Sequence, residues 1–558
     1  MTILTINKKE LETKIGKLDD KLKNKIDMFG TPIDNETEDE ISIEIFPNRP
    51  DLLSFQGFVR SFLYFLDKAK DIEDYKVERP EKDYKVIIEK SVKKIRPYTS
   101  CAIVKGLTFN NDKIDKIIDI QEKLHASYGR NRKKLAIGIY PLEMIKLPIR
   151  FLAKKPEDIK FRPLEFPKEI NGRQILNQHP KGREYSHLLK DCDVYPIFED
   201  ANNEILSMPP IINSEKTGKI TENTRDIFIE CSGFDKEYLA KSLNIIVCAL
   251  SDMGGKIYAM EIEDKAENNK YNLPDLSSEK MEFSIEFINK NLGVSLDEKE
   301  IRYYLSKMGI NSIREKDGYF AFIPSYRTDI IHQIDLVEEI AISYGYDNFI
   351  PKIPEISTIG EEDKTEILKR KISEALIGLG LLEISTYHLS TKEKQFKKIN
   401  IKEFKDKMIE ILDSKTENNI LRSSLIAGSI AVLSGNSDSS YPQKIFEIGK
   451  IFYHDKSSET GIEEKERLCI SLAHGKANFT EIKQILDYLM RMFTVNYKIK
   501  ESENPSFIDG RSGEIFVNKK YIGVIGEINP TILRNNKILM PVSSLEINIE
   551  SLLEKNLK

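Results

Sequence analysis

Hydrophobic and polar positions change period several times along the chain, and each change predicts an element. Alternation over Ile41-Ser-Ile-Glu-Ile-Phe46 predicts a strand, ended by Pro47 and Pro50. The broad apolar face of Leu52–Asp67 predicts a long helix with Asp51 as its cap. A strand over Met1–Ile6 and a helix from Lys8 precede them. Further on, strands are predicted at Tyr84–Ile88, Cys101–Leu107, Ala136–Ile139, Ile205–Met208 and Asp226–Cys231, with helices at Ile114–Ser127 and Tyr238–Met253. Helices Ser284–Leu292 and Asp297–Met308 follow, with Gly293 and Gly309 at their C-terminal ends. A strand at Tyr319–Ile323 then leads to an acidic helix, Asp335–Tyr344. The last stretch opens with a helix at Thr365–Ile377. It continues with strands at Glu383–Leu389, Lys444–Phe452, Leu468–Ala473, Glu514–Val517, Tyr521–Glu527 and Val542–Ile549. The pattern predicts an α+β multidomain chain: a small N-terminal α+β domain (1–83), a central α+β domain (84–268), a small helical domain (270–353), and an antiparallel sheet with flanking helices (360–558).

Bulk properties narrow the setting. At 558 residues the chain is long for a single core, and 40% hydrophobic with 31% charged residues suits a globular protein. The net charge of −5 provides no global field for a polyanion, so any contact with RNA must use local patches. The five scattered cysteines include no CxxC pair and suggest a reducing compartment. The N-terminus turns charged too early for a signal peptide, and the longest apolar run, Leu243–Leu250, is too short to span a bilayer. A cytoplasmic protein without membrane contact is expected.

The densest candidate chemistry lies in Ile323–Phe349, which reads IPSYRTDIIHQIDLVEEIAISYGYDNF. Asp335, Glu338 and Glu339 stand at i, i+3 and i+4, so a helix brings them onto one face, with Asp329 just upstream. Clustered carboxylates repel unless a cation or basic partner sits among them, and hard oxygen ligands favour magnesium. Acidic residues in a first helical turn are equally explained by capping and the helix dipole. His332 lies between Asp329 and Asp335 and reads as a surface histidine.

Glu230 and Ser232 stand two apart in a predicted strand and therefore share a face, and Ser207 lies in another predicted strand. The run Gly129-Arg-Asn-Arg-Lys-Lys134 places four cations in five residues, which suits either a phosphate contact or a solvated loop. No aromatic residue is interleaved with them to stack a base. No Walker-type or Rossmann glycine loop occurs.

The run YRTDI, DLVEEI and YGYDNF resembles the signature of phenylalanyl-tRNA synthetase beta subunits. EIFPNRPDLLSFQGFVRSFLYFL (44–66) is similar to that family's N-terminal segment. LSMPPIINSEKTGKITENTRDIFIECSGFD (206–235) is similar to the central domain of its archaeal and eukaryotic branch. The resemblance implies four things about the fold: a helix-turn-helix-like domain around the acidic motif, a central editing-type domain, a C-terminal class II synthetase-like domain that has lost its chemistry, and magnesium on Asp329, Asp335, Glu338 and Glu339 near the contact with the alpha subunit. It implies that Ser207, Glu230 and Ser232 belong to a site that hydrolyses Tyr-tRNA(Phe). Tyr140-Pro141 stands where that branch often carries a His-Asp pair. In Leu421-Arg-Ser-Ser-Leu425 serine replaces the glutamate that follows the ATP-gripping arginine, and the GxGxxR pattern is missing.

The resemblance implies a beta subunit of phenylalanine–tRNA ligase in an α2β2 tetramer. The alpha subunit would charge tRNA(Phe) using ATP as co-substrate, and this chain would supply scaffold and proofreading. A free-standing deacylase of mischarged tRNA and a non-enzymatic RNA-binding scaffold are the competing readings.

Overall fold

A computed structural model describes residues 2–69, 72, 74–355, 357–402 and 408–553. They form a mixed α+β architecture of two compact units, 1–353 and 354–558.

The first unit begins with a three-stranded antiparallel sheet. Its central strand, Glu40–Ile45, lies between Thr2–Asn7 and Ile33–Glu36. Period-two alternation buries Ile41, Ile43 and Ile45 on one face. The expected long helix is a short 3-10 turn, Pro50–Leu52, followed by the α-helix Phe55–Phe65. Its cap is Ser54, whose Oγ accepts from the Gly57 backbone N–H at 3.0 Å. Asp51 does not cap, because Arg49 takes its carboxylate through two hydrogen bonds at 2.9 and 2.8 Å.

Two sheets face each other in the middle of this unit. A five-stranded sheet runs Val77–Glu78, Lys256–Tyr258, Tyr98–Lys105, Ile227–Gly233, Leu135–Pro141. Helices Asn111–Ala126 and Lys236–Asp252 cover one of its faces, burying Ile117, Leu124, Leu243 and Ile246. The other face packs Cys101, Ile103, Tyr140 and Phe228 against Val86, Ile149, Phe151 and Phe198 of a seven-stranded sheet. That second sheet runs Ile212–Asn213, Ile205–Met208, Tyr195–Glu199, Ile149–Lys154, Lys85–Ile88, Met260–Asp264, Asn269–Leu273. Each strand of the central pair therefore buries alternate residues in different cores.

Farther along, Glu279–Phe283, Gly318–Ile323 and Asn311–Glu315 make a small antiparallel sheet beside helices Ile285–Leu292, Glu298–Lys307 and Gln333–Tyr344. One apolar core joins this region to the N-terminal sheet and to the helices of the central sheet, running from Leu4 to Ile340. A polar clasp reinforces the joint. Arg60 donates to Asp252 at 2.5 Å and to Tyr75 at 2.8 Å, and its guanidinium lies 4.1 Å from the Tyr326 ring centre.

The second unit is a seven-stranded, largely antiparallel sheet. Its order is Leu382–Glu383, Gln443–His454, Ile462–Ala473, Val542–Asn548, Lys520–Ile528, Phe507–Val517, Tyr497–Glu501. Helices Lys364–Gly378 and Phe479–Met492 pack one face, and Ile426–Gly435 and Pro530–Asn535 the other. The strand expected over Glu383–Leu389 is instead two separate two-residue strands, Leu382–Glu383 and Leu389–Ser390, which join different sheets. Among the described residues, no helix is long and apolar enough to cross a membrane.

Candidate functional site

The strand Ile227–Gly233 is hydrogen-bonded on both sides. Glu230 lies opposite Gly138 and Cys101, and Ser232 opposite Ala136 and Thr99. Strand parity turns both side chains toward the second sheet, which brings Ser207 on Ile205–Met208 to the same interior. Tyr140 links them. Its hydroxyl lies 2.8 Å from Ser207 Oγ, 3.3 Å from Glu230 Oε1 and 3.4 Å from Asn213 Oδ1. Gly138 leaves the room for this group. A Cβ there would overlap the Tyr140 hydroxyl and Glu230 Oε1.

Glu230 is 1% exposed, and its Oε2 makes no hydrogen bond. Burial pushes its pKa up to about 8, against the opposing pull of the Arg96 guanidinium and the Tyr140 and Ser232 hydroxyls. The carboxyl is therefore largely protonated at neutral pH and can both donate and accept. A cavity of about 480 Å³ opens beside it, lined by Ser207, Asn213 and Glu230 together with His125, Ile137 and Ile139. Burial lowers the His125 pKa to about 4, so that ring is neutral, and its Nε2 accepts from the Ile137 backbone N–H at 2.8 Å.

Ser232 sits deeper. Arg96 holds it, donating from Nε to its hydroxyl at 3.1 Å and from Nη2 to its carbonyl at 2.5 Å. Ser207 and Glu230 thus line the cavity, whereas Ser232 does not. Tyr140, which the sequence marks only as a departure from the family's His-Asp pair, completes the site together with Asn213 and Arg96, which the sequence does not point to. The sequence carries no signal for Arg96, because it lies 136 residues from Ser232.

The four carboxylates of the acidic motif do not share a site. Asp329 accepts two hydrogen bonds from Arg327, at 2.9 and 2.7 Å, and Glu339 lies 2.9 Å from the same guanidinium. Burial opposes ionisation of Asp329, but Arg327 and Arg49 hold its pKa down at about 2. Burial raises that of Glu339 in spite of Arg327. Asp335 caps the chain: its Oδ2 accepts from the backbone N–H groups of Ile331 and His332, each at 2.8 Å. Glu338 is exposed. Among the described residues, no three His, Cys, Asp or Glu side chains converge to hold a metal. Two arginines balance Asp329 and Glu339, so the residues as arranged do not form a magnesium cage. They leave the exposed Glu338 and one unpartnered oxygen, Glu339 Oε2.

In the second unit, Arg422 is 3% exposed and donates to Glu447 at 2.6 Å, to the Thr386 carbonyl at 3.0 Å and to the Lys450 carbonyl at 2.7 Å. Its guanidinium is committed internally.

Comparison with known proteins agrees with the resemblance. The chain is 35% identical over 555 residues to the phenylalanine–tRNA ligase beta subunit of Archaeoglobus fulgidus, covering 99% of this chain and 98% of that relative. The chain belongs to the phenylalanine–tRNA ligase beta-subunit family, of the archaeal type. The beta subunit of Pyrococcus abyssi is 38% identical over 90% of each chain. Residues 350–549 match the phenylalanyl tRNA synthetase beta chain CLM domain, 281–346 the tRNA synthetase B5 domain and 83–247 the B3/4 domain. A crystallised N-terminal fragment of the Pyrococcus horikoshii beta subunit aligns over 62% of this chain and 99% of the fragment. The alignment has a TM-score of 0.58 at 33% identity. The Glu230 cavity lies within the B3/4 match, and the arginine-centred carboxylates within the B5 match.

Proposed function

We propose that this chain works in a cytoplasmic phenylalanine–tRNA ligase heterotetramer and hydrolyses Tyr-tRNA(Phe) in the cavity beside Glu230. ATP and phenylalanine would be handled by the alpha subunit, since Arg422 is already bound to Glu447. The single observation that carries the editing reading is the unpartnered Glu230 Oε2 at a cavity of about 480 Å³.

The chemistry explains why such a pocket is useful. Tyrosine differs from phenylalanine by one hydroxyl, and an apolar pocket rejects such an isostere by only about a hundredfold. A largely neutral Glu230 can accept a hydrogen bond from the added phenol and return one. Ser207 and Asn213 are further polar partners, and the site already satisfies the phenol of Tyr140. Hydrolysis adds water to the ester carbonyl and breaks the bond to the ribose oxygen. The products are tyrosine and a tRNA with a free 3′-terminal hydroxyl. In this reading Glu230 recognises the substrate and Ser232 positions Glu230 through Arg96.

Magnesium at the acidic motif would be completed by the docking subunit, with Glu338 as the carboxylate that reaches it. The exposure of Glu338 supports that reading.

Deacylation of purified Tyr-tRNA(Phe) tests the proposal. Glu230→Ala should lower the rate at least tenfold while phenylalanine charging by the assembled enzyme persists. Undiminished deacylation would overturn it.

A further inference from the structure

The cations of the run 129–134 do not behave alike. Arg132 is buried and pins the loop, donating to the Ile211 carbonyl at 2.8 Å and to Glu122 at 2.7 Å, with its guanidinium 4.6 Å from the Tyr185 ring centre. Arg130, Asn131 and Arg132 all take left-handed backbone conformations, with φ of 49°, 52° and 62°. This turn leaves Arg130, Lys133 and Lys134 exposed. Among the described residues those three make no ion pair. They line a second cavity, of about 420 Å³, with His187 and Arg96. Among the described residues no carboxylate lines it.

The same cavity is lined by Phe234, which is 53% exposed and lies 5.5 Å from the Arg96 guanidinium. An aromatic face therefore stands among the cations, although none is interleaved with them in sequence. Cations that track phosphates beside an aromatic face that accepts a base are the elements of single-strand recognition. The cleft also adjoins the Glu230 cavity. Pro210 lines both, and Arg96 bonds Ser232 two residues from Glu230.

We propose that this cleft binds consecutive nucleotides of single-stranded RNA, one base stacked on Phe234 and the flanking phosphates held by Arg130, Lys133 and Lys134. The role of leading a tRNA end toward Glu230 rests on the editing reading above. The nucleotide chemistry does not.

The test uses the full-length chain and a fluorescein-labelled single-stranded RNA hexanucleotide, read by anisotropy over a salt series. Phe234→Ala should raise Kd roughly five- to a hundredfold, the range of one base–aromatic stack, and Phe234→Tyr should restore it. Lys133→Ala combined with Lys134→Ala should reduce the slope of log Kd against log salt by about 1.4, at about 0.7 per phosphate contact. All are exposed positions, and an unchanged melting temperature verifies folding. Unchanged binding by Phe234→Ala would overturn the proposal. So would equal competition by inorganic tripolyphosphate, which would mark a generic anion surface. Glu230→Ala should bind the hexanucleotide normally. Failure of the editing reading alone would leave hexanucleotide binding intact, and failure of this proposal alone would leave the deacylation defect of Glu230→Ala intact.

Discussion

Arg327 and Asp329, two residues apart in the signature of the acidic motif, close a bidentate ion pair at 2.9 and 2.7 Å. The Arg327 side chain is 1% exposed and that of Asp329 9%. Arg49 and Asp51, from the N-terminal signature, form a second buried pair close enough for Arg49 to hold down the Asp329 pKa. Two motifs nearly 280 residues apart thus build one charge network.

Asp329→Asn breaks the bidentate bond to the buried Arg327, which keeps Glu339 as its remaining carboxylate, and should cost about 1–3 kcal/mol in denaturant unfolding of the chain. Glu338→Gln, at an exposed position, should leave that stability unchanged and instead lower the magnesium retained by the assembled complex. Equal stability of Asp329→Asn and the parent chain would refute the assignment.

Glu230 gives stability a pH dependence of definite sign. Its pKa rises from 4.5 in the open chain to about 8 in the fold, so the folded state binds the extra proton between these values. The associated stability is complete below pH 4.5 and is lost as pH rises through about 8. Glu230→Gln removes the titration. Melting curves across that window should show the variant gaining on the parent as pH rises. Parallel curves would show that the carboxyl is not buried as described.

Gly138 has no room for a methyl group beside Tyr140 and Glu230. Gly138→Ala should cost about 1–3 kcal/mol through overpacking. Because the displaced atoms are those at the cavity wall, Tyr-tRNA(Phe) deacylation should fall as well. A stable, fully active variant would mean that the wall is not rigid.

Arg422 is held by Glu447 inside the second unit. Pyrophosphate exchange with phenylalanine and ATP should therefore be absent from the purified chain and appear on adding the alpha subunit. Glu447→Gln should destabilise the unit without creating exchange. Exchange by the chain alone would contradict this.

Features governed by near neighbours were legible in the sequence. The helices found at Asn111–Ala126, Lys236–Asp252 and Lys364–Gly378 follow the apolar period closely, because one face of each must meet a core. The shared face of Glu230 and Ser232 follows from strand parity alone. Capping was only partly legible. Asp51 and Ser54 both suit a helix start, and the choice fell to Ser54 because Arg49 occupied Asp51.

What the sequence determined by itself was the family, the alternation of elements and the residue types available for chemistry, since these depend on order and spacing along the chain. Tertiary structure decided which charges meet. Four carboxylates in one motif were divided between an arginine, a helix start and solvent. Arg96 reached Ser232, and Phe234 joined the basic loop, because two strands and a turn distant in sequence were folded side by side. Ion pairing and desolvation act over a few ångströms of space, and no local pattern encodes which distant residue will occupy them.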